Sequence, residues 1–339
     1  VDPPPGGMAA GGMEYPTFIT VGTSFVLGRW PFSGLRLPEE VTVHEFGHQY
    51  WYGLVASNEF EEAWLDEGLT SYSTAKVMDA VYGADRSVVD VLGLRLGSQA
   101  VARLQNSPWQ LFERVRQPAW TYLGGYSFYS YTKPQLLLHT LERLLGEQTM
   151  ARVMRTYHER WRFGHPSTDD FYAVANEVAG RDLTWLFAQA VEGTGVLDYE
   201  VALVSSSRER PVEGYIEGAS GLVLAPKPDG ADRDTTGPWR STVVVRRLGE
   251  VVVPVEIEFT FEGAPPERVG WDGRDPIKRW RVLRPERLLR AEIDPDRTLV
   301  LEADWLNNAR RTDPDGRGAL RWVARWWNAI KQAVASLAW

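Results

Sequence analysis

Two histidines four residues apart, with a glutamate directly after the first, are the residues of this 339-residue sequence best suited to chemistry: His44, Glu45 and His48. In a helix, His44 and His48 are separated by about 40° around the axis and about 6 Å along it, so both imidazoles face one point. Neutral imidazole suits zinc, and H-E-x-x-H on a helix is a recognised zinc pattern. Glu45 lies too far around the helix to ligate beside both histidines, but it can take a proton from water at the metal. The pattern predicts one zinc ion per chain, and the alternative is a chance pentapeptide on a solvated helix face.

A catalytic zinc needs a third protein ligand and an open fourth position. The metzincin pattern is excluded, because Trp51 and Leu54 stand where that pattern needs Gly and His. We prefer Glu67, in the middle of the next predicted helix, which a short loop would let fold back on the first. Asp66 and Glu62 are alternatives on the same helix, and an ordinary acidic surface is the other interpretation of these three residues.

The elements that must position these residues are predicted from hydrophobic periodicity and from Gly and Pro. Residues 1–38 are strand-rich, and residues 39–195 are helical, beginning at Pro38 with two glutamates in the first turn. Beyond the two helices with the candidate ligands, further helices are expected at 86–104, 129–145, 147–162, 168–179 and 182–191.

The pattern then changes to alternation, which predicts a β-sandwich over residues 196–306, with one of its strands in the segment RTLVLEADWL. Residues 307–339 are predicted to form a C-terminal amphipathic helix. Its stripe of Trp, Val, Ile and Leu within 319–339 is expected to pack on protein. The alternative is a helix that binds a membrane surface or a partner, since Trp and basic residues together suit a bilayer interface.

Composition excludes several classes of protein. A formal net charge of −8 argues against nucleic acid as a partner, because phosphate binding needs a basic face. The absence of cysteine excludes disulfides and thiolate ligands, and it is compatible with the cytoplasm or with a bacterial envelope or secreted location. The sequence contains no run of eighteen apolar residues, which is about the length that a membrane-spanning helix needs. The chain starts at Val1, and we interpret it as a processed or truncated piece whose localisation stays open.

Three motifs in a fixed order resemble the M1 (gluzincin) family of zinc aminopeptidases. They are GGMEYP at 11–16, HEFGHQ followed by WLDEGLTSY around the candidate ligands, and YTKPQLLLHTL at 131–141. They correspond to the G-x-M-E-N motif, to H-E-x-x-H followed by eighteen intervening residues and then Glu, and to the Y-E-K-G segment of the family. The likeness extends over roughly residues 6–305. It implies a multidomain α+β fold, in which a mostly helical thermolysin-like metallopeptidase domain with a small β-sheet precedes a β-sandwich and the C-terminal helix.

The resemblance also implies roles. His44, His48 and Glu67 would bind zinc, Glu45 would be the general base and then the proton donor to the leaving amine, and Tyr131 would stabilise the oxyanion. The remaining implied residues line the substrate: Glu14 at the free α-ammonium, Gly11 and Gly12 beside the peptide backbone, and Met13 and Tyr126 in the site.

Two departures from the family pattern matter here: Tyr15 replaces Asn, which affects the geometry around the amine, and Pro134 replaces Gly after Lys133. The family's N-terminal β-domain does not precede the first motif here, so we expect a fragment or a wall supplied by another chain. The predicted activity is zinc-dependent removal of the N-terminal residue from peptides with a free amine. The alternatives are a gluzincin hydrolase with a non-peptide substrate, and a non-catalytic peptide-binding protein.

Overall fold

The computed structural model describes residues 11–22, 27, 29, 32–106, 112–209, 214–219, 221–224, 237–313 and 315–337. The chain divides into two compact units. The first contains residues 1–197, 298–303 and 316–339, and the second contains residues 198–297 and 304–315. Helices dominate the first unit and antiparallel strands dominate the second, so the protein has the mixed helix and sheet content that the sequence predicts.

The helices of the first unit follow one another along the chain, and α1 and α3 hold the candidate ligands. Their bounds are α1 Leu37–Trp51, α2 Glu59–Glu62, α3 Trp64–Tyr82, α4 Ser98–Gln105, α5 Lys133–Leu145, α6 Glu147–Trp161, α7 Thr168–Ala179, α8 Thr184–Ala190 and α9 Arg317–Leu337. Short 3₁₀ turns lie at Phe32–Gly34 and Ala119–Thr121, and a π-helical turn at Phe128–Thr132 leads directly into α5.

Two small hairpins accompany these helices. Strands β1 Gly12–Met13 and β2 Thr20–Val21 pair antiparallel within residues 1–38, the region predicted to be strand-rich. Residues 1–10, 23–26, 28, 30 and 31 of that region lie outside the described residues. Strands β3 Val89–Val91 and β4 Leu94–Leu96 form the second hairpin.

The second hairpin shows that the helix predicted at 86–104 is wrong over its first half. The chain turns at Leu92 and Gly93, both with positive φ, and only Ser98–Gln105 is helical. Two consecutive left-handed residues are the requirement of a tight hairpin turn. The alternation of Val-Asp-Val and Leu-Arg-Leu about this turn was the available sequence signal.

Local sequence explains where α1 and α3 begin and end. Pro38 lies in the first turn of α1 together with Glu39 and Glu40, which suits the positive end of the helix dipole. Helix α3 ends at Gly83, whose φ of 94° is costly for other residues. The two helices approach closely at Gly47, where an added Cβ would lie 3.0 Å from Cγ2 of Thr70. This packing brings the polar faces of α1 and α3 together.

Behind that polar face lies an apolar core. Trp64, Leu65 and Leu69 on α3 are fully buried, and Trp64 packs edge-on against Phe171 of α7 with 5.6 Å between ring centroids. The indole N–H of Trp64 donates to Thr168 Oγ1 at 2.9 Å, so the one polar atom of this large side chain is satisfied. The first residues of α3 are therefore fixed from behind.

The second unit contains two antiparallel sheets. One has the order β10-β9-β12-β13 and the other the order β11-β8-β5. Their strands are β5 Tyr199–Arg208, β8 Trp239–Arg247, β9 Val255–Phe261, β10 Glu267–Trp271, β11 Ile277–Arg284, β12 Leu288–Ile293 and β13 Ala309–Arg311. A separate pair consists of β6 Tyr215–Gly218 and β7 Gly221–Leu224. Alternating residues of β9 are buried, and Phe259 contacts Trp280 from the other sheet, as in a β-sandwich.

Two predicted boundaries differ from the structure. RTLVLEADWL is not a strand, because residues 298–303 leave the sandwich and pack in the first unit. There the backbone N–H of Leu301 donates to Thr140 Oγ1, and the side chain of Asn106 donates to the carbonyl of Leu301. The C-terminal helix begins at Arg317 rather than near 307, because Ala309–Arg311 form the last strand of the sandwich.

Helix α9 contradicts the expectation that the tail packs on protein. Every α9 side chain that the structure describes, in 317–328 and at 330 and 331, is exposed. A docked amphipathic helix would bury one stripe, whereas the described members of the apolar stripe, Trp322, Val323, Trp326 and Ile330, are all exposed. Within the described part of the chain, no helix is both long enough and apolar enough to traverse a bilayer.

Candidate active site

Helices α1 and α3 bring the three predicted zinc ligands together. His44 and His48 come from α1 and Glu67 from the first turn of α3. Their ligand atoms all lie within 4.8 Å of one another. His44 Nε2 is 3.2 Å from Glu67 Oε2, and His48 Nε2 is 3.4 Å from the same oxygen.

These distances fit a zinc ion. Ligand atoms about 2.0–2.1 Å from a tetrahedral zinc are separated from one another by about 3.3 Å, which matches the spacing between the carboxylate and each imidazole. Two imidazoles and one carboxylate are also a ligand set typical of catalytic zinc, and no cysteine competes with them. The three residues therefore suit this metal in both chemistry and spacing.

The structure separates Glu67 from its two sequence alternatives. Asp66 contacts the other nitrogen of the imidazole, with its Oδ1 2.5 Å from His48 Nδ1. A proton on Nδ1 that is donated to Asp66 leaves Nε2 free for a metal, which is the usual carboxylate–histidine arrangement at zinc sites. Glu62 instead pairs with Arg116 at 2.6 Å and accepts from the backbone N–H of Thr168.

The ligands also perturb one another's ionisation. Burial alone would lower the pKa of His48, but hydrogen bonds to Asp66 and Glu67 and their negative charges outweigh burial and raise it well above the usual histidine range. Burial alone would raise the pKa of Glu67, and hydrogen bonds from His44 and His48 instead lower it to about 2. The cluster therefore favours positive charge between the imidazoles and the carboxylate, either as a proton or as a metal cation.

Glu45 is nearly buried beside this ligand set, with 6% of its surface exposed. Burial raises the pKa of its carboxyl group to about 7, although the neighbouring His44 and His48 act in the opposite direction. A carboxylate with a pKa near neutrality can both accept and return a proton during one reaction cycle. This is the behaviour required of the predicted general base.

The hairpin β1–β2 presses against Glu45. A Cβ added at Gly12 would lie 2.4 Å from Glu45 Oε1, so only glycine permits this approach. Gly11 has a φ of 75°, a conformation natural to glycine. Glu14, two residues along, places a carboxylate oxygen within 4.8 Å of ligand atoms of Glu45 and His48. The side chain of Met13 is 41% exposed.

Tyr131 reaches the same point from the π-helical turn. Its hydroxyl donates to Glu67 Oε1, and its ring stacks on His44 with 5.7 Å between centroids. Burial and the charge of Glu67 raise the pKa of this phenol, so it stays protonated and can donate. Tyr126 lies edge-on to Tyr131 at 6.1 Å, as the second aromatic wall of the site.

The Pro134 departure has a packing explanation. Pro134 begins α5 and faces Gly68 of α3, where an added Cβ would lie 2.5 Å from Pro134 Cβ. Glycine at position 68 therefore makes room for the proline. The π-helical turn that precedes it replaces the plain helical start predicted at 129, and such turns are frequent at functional sites.

The three candidate ligands, the predicted base and the predicted substrate-binding residues line one cavity of about 670 Å³. The predicted residues in its wall are Gly11, Gly12, Met13, Glu14, His44, Glu45, His48, Glu67, Tyr126 and Tyr131. Sequence reasoning missed Glu40 and Glu59, which also line it. Burial raises the pKa of Glu59, and the charges of Glu14 and Glu67 add to this effect. The only sequence signal for Glu59 is its place in an acidic run with Glu61 and Glu62. That signal is too weak to predict a residue of the site.

The region of the chain that contains this cavity matches a known protein family. Residues 7–189, more than half of the chain, match the Peptidase family M1 domain. The chain belongs to peptidase family M1. The expected relationship to this family is thereby confirmed.

Individual relatives are distant and longer. The chain is 28% identical over 170 residues to a leukotriene A-4 hydrolase homolog of Botryotinia fuckeliana. This alignment covers 48% of this chain and 25% of that protein. It is 25% identical over 150 residues to the mitochondrial aminopeptidase 2 of Saccharomyces cerevisiae. That alignment covers 42% of this chain and 15% of the yeast protein. The chain therefore spans a quarter or less of the length of these M1 relatives.

A solved structure supports the fold more widely. Aminopeptidase A of Legionella pneumophila, determined in complex with aspartic acid, aligns over 87% of this chain and 30% of its own, with a TM-score of 0.53 and 15% identity. The similarity thus extends beyond the M1 domain match into the region of the second unit.

Proposed function

We propose that this M1 chain carries the catalytic site of a zinc aminopeptidase in a thermolysin-like domain. The observation that carries the proposal is one cavity in which a zinc-type ligand set, a nearly buried carboxylate and a second acidic group meet. His44, His48 and Glu67 would hold the metal, one per chain. When bound, zinc supplies a Lewis acid that polarises a carbonyl and lowers the pKa of water.

Glu45 performs the proton transfers. Its carboxylate accepts a proton from the attacking water and delivers it to the nitrogen of the leaving amine, for which a pKa near neutrality is suitable. Tyr131 keeps its hydroxyl proton and donates a hydrogen bond to the oxyanion that forms on the carbonyl oxygen. Asp66 orients the imidazole of His48 through Nδ1.

Glu14 determines which bond is cut. The amino nitrogen of a peptide's first residue lies only about 2.5 Å from its own carbonyl carbon, as standard bond lengths require. A carboxylate oxygen of Glu14 lies within 4.8 Å of a carboxylate oxygen of Glu45 and of a ring nitrogen of His48. An α-ammonium paired with Glu14 therefore places the first peptide bond beside the metal ligands. A neutral N-acetyl group cannot make this ion pair, so the substrate class is peptides with a free N-terminus.

The test compares free and N-acetylated aminoacyl amides on one preparation whose zinc content has been measured. We expect one zinc per chain, hydrolysis of the free amides, and little hydrolysis of the acetylated ones. Glu14→Gln should remove most of this preference by raising KM for the free amides, while Glu61→Gln, an exposed acid on α2, should change nothing. Efficient cleavage of acetylated substrates would overturn the aminopeptidase assignment.

A second candidate is a hydrolase of the same zinc site with a non-peptide substrate. The Botryotinia relative is named a leukotriene A-4 hydrolase homolog, and this name supports the second candidate. Turnover of an epoxide fatty acid by the zinc-loaded chain, without turnover of any aminoacyl amide, would favour it. A non-catalytic peptide-binding role would instead show peptide binding that Glu45→Gln leaves intact and no turnover of either substrate.

A further inference from the structure

Helix α9 presents two opposite faces. Successive residues of an α-helix are rotated by about 100°, so Trp322, Val323, Trp326, Trp327 and Ile330 fall within an arc of about 140°. All five side chains are exposed, and the three tryptophans are between 48% and 61% accessible. Exposed aromatic side chains concentrated on one stripe are rare in a soluble surface and indicate an interaction site.

The opposite face is basic. Arg317, Arg321, Arg325 and Lys331 fall within an arc of about 120° whose centre lies nearly opposite the apolar stripe. The helix contains no acidic residue, so its formal charge is +4. Because the whole chain has a formal charge of −8, the rest of the chain carries −12. Within the part of the chain that the structure describes, α9 thus combines a net positive charge with an exposed apolar stripe.

We propose that α9 binds the surface of an anionic lipid bilayer. Its apolar stripe would enter the boundary between headgroups and acyl chains, while the arginines and the lysine remain at the level of the lipid phosphates. Tryptophan is favoured at that depth because its ring is largely apolar and its N–H is polar.

The dimensions and charge favour this occupant over a protein groove. At about 1.5 Å per residue, the 21 residues of α9 extend about 31 Å, long enough for several turns to contact a flat surface at once. A second copy of this chain that pairs through the same helix is disfavoured, because two helices of charge +4 repel each other. A bilayer rich in anionic lipid satisfies both faces together.

The experiment is sedimentation of the zinc-loaded full chain with two kinds of vesicle, one containing 30 mol% phosphatidylserine in phosphatidylcholine and one of phosphatidylcholine alone. We expect binding to the anionic vesicles, weaker binding to the neutral ones, and a decrease as the salt concentration rises. The triple change Trp322→Ser, Trp326→Ser, Trp327→Ser should lower the partition coefficient by about a hundredfold or more.

Neutralising the basic face should lower binding to the anionic vesicles by about fivefold for each of the four charges, with little effect on the neutral vesicles. The variant is Arg317→Gln, Arg321→Gln, Arg325→Gln, Lys331→Gln. Two matched controls should bind as the wild type does. They are Trp120→Ser, a single exposed tryptophan, and the fourfold change Arg274→Gln, Lys278→Gln, Arg279→Gln, Arg281→Gln on the exposed surface of the second unit.

Aminoacyl amide hydrolysis should be unchanged in every variant, since the altered residues are exposed and lie outside the cavity. The proposal is overturned if the chain fails to bind phosphatidylserine vesicles, or if the tryptophan variant binds them as tightly as the wild type. It is equally overturned if the tryptophan change alters only the oligomeric state by analytical ultracentrifugation, which would identify a second copy as the occupant. None of these outcomes depends on whether the zinc site is active.

Discussion

The cavity of the first unit and the surface of the β-sandwich contain the same kinds of charged residue in opposite settings. At the cavity, Glu45, His48 and Asp66 are buried, and His48 lies within a few ångströms of each of the two carboxylates. On the sandwich, Arg268 meets Glu256, Glu258 and Asp296 in an equally dense network, but its side chain is 41% exposed and that of Asp296 is 61% exposed. Both networks are well populated with ion pairs, so contacts by themselves do not mark a functional site.

Burial is what separates them. Water screens the exposed network, and such pairs contribute little to stability. In the cavity, desolvation moves the pKa of Glu45 to about 7 and leaves the charge of the ligand cluster dependent on a bound cation. Charged residues gain chemical function where the fold removes water from them.

The largest effect is expected for Glu45→Gln. The amide has the shape of the acid but cannot accept the proton of water, so kcat should fall by about 10²–10⁴-fold while zinc remains bound. Metal analysis and steady-state kinetics on the same sample measure both quantities. Glu39→Gln, on the exposed side of the same helix, should retain full activity. Near-normal turnover in Glu45→Gln would remove Glu45 from the role of base.

Gly12→Ala should act on the same carboxylate from the side of the hairpin. The new methyl group would lie 2.4 Å from Glu45 Oε1, so either β1 or Glu45 must shift. We expect kcat/KM to fall by about a hundredfold, because displacement of about 1 Å at a reacting group costs that much. Gly270→Ala in β10, where nothing lies within 4 Å of the new atom, is the matched control and should behave as the wild type. Equal activity of the two variants would mean that β1 does not constrain Glu45.

Zinc affinity should depend steeply on pH. In the metal-free cluster the raised pKa of His48 keeps its imidazole protonated at neutral pH, and zinc binding must release that proton. The association constant should therefore increase by about tenfold per pH unit from pH 6 to pH 8, and zinc should be lost on acidification. Competition with a chelating dye at several pH values measures the slope. A pH-independent constant would contradict this coupling.

Asp66→Asn should weaken zinc more moderately. The amide oxygen can still accept from His48 Nδ1, but the negative charge that strengthens the imidazole as a ligand is lost. An effect of about 10–100-fold on zinc affinity is typical for such partners. The change should also make the pH dependence of affinity shallower, which a purely structural defect would not do. Unchanged affinity and slope would show that Asp66 only fills space beside His48.

The smallest effect is expected on the sandwich. Arg268→Ala removes the centre of the exposed network, yet its melting temperature and kcat/KM should stay within experimental error of the wild type. Differential scanning calorimetry and the amide assay are sufficient to check this. A large loss of stability would show that the exposed network resembles the buried one after all.

Much of the site could be predicted from the sequence because its determinants are local. The spacing of His44 and His48 fixes both imidazoles on one helix face, and Pro38 with two following glutamates fixes where that helix starts. Alternation along β9 predicted a strand with one buried face. Periodicity and helix signals depend on neighbours within one or two turns, so the printed sequence contains them.

Tertiary structure alone decided the rest. Asp66 and Glu67 are adjacent and of the same type, and only the approach of α3 to α1 gives Glu67 the Nε2 side and Asp66 the Nδ1 side of His48. Residues 298–303 have strand-like composition, yet contacts with Thr140 and Asn106 hold them in the first unit without a strand. Helix α9 has the periodicity of a docked helix, yet all of its side chains that the structure describes are exposed. In each case the outcome depends on the presence or absence of contacts with segments that are distant in the sequence. A local sequence pattern does not specify those contacts.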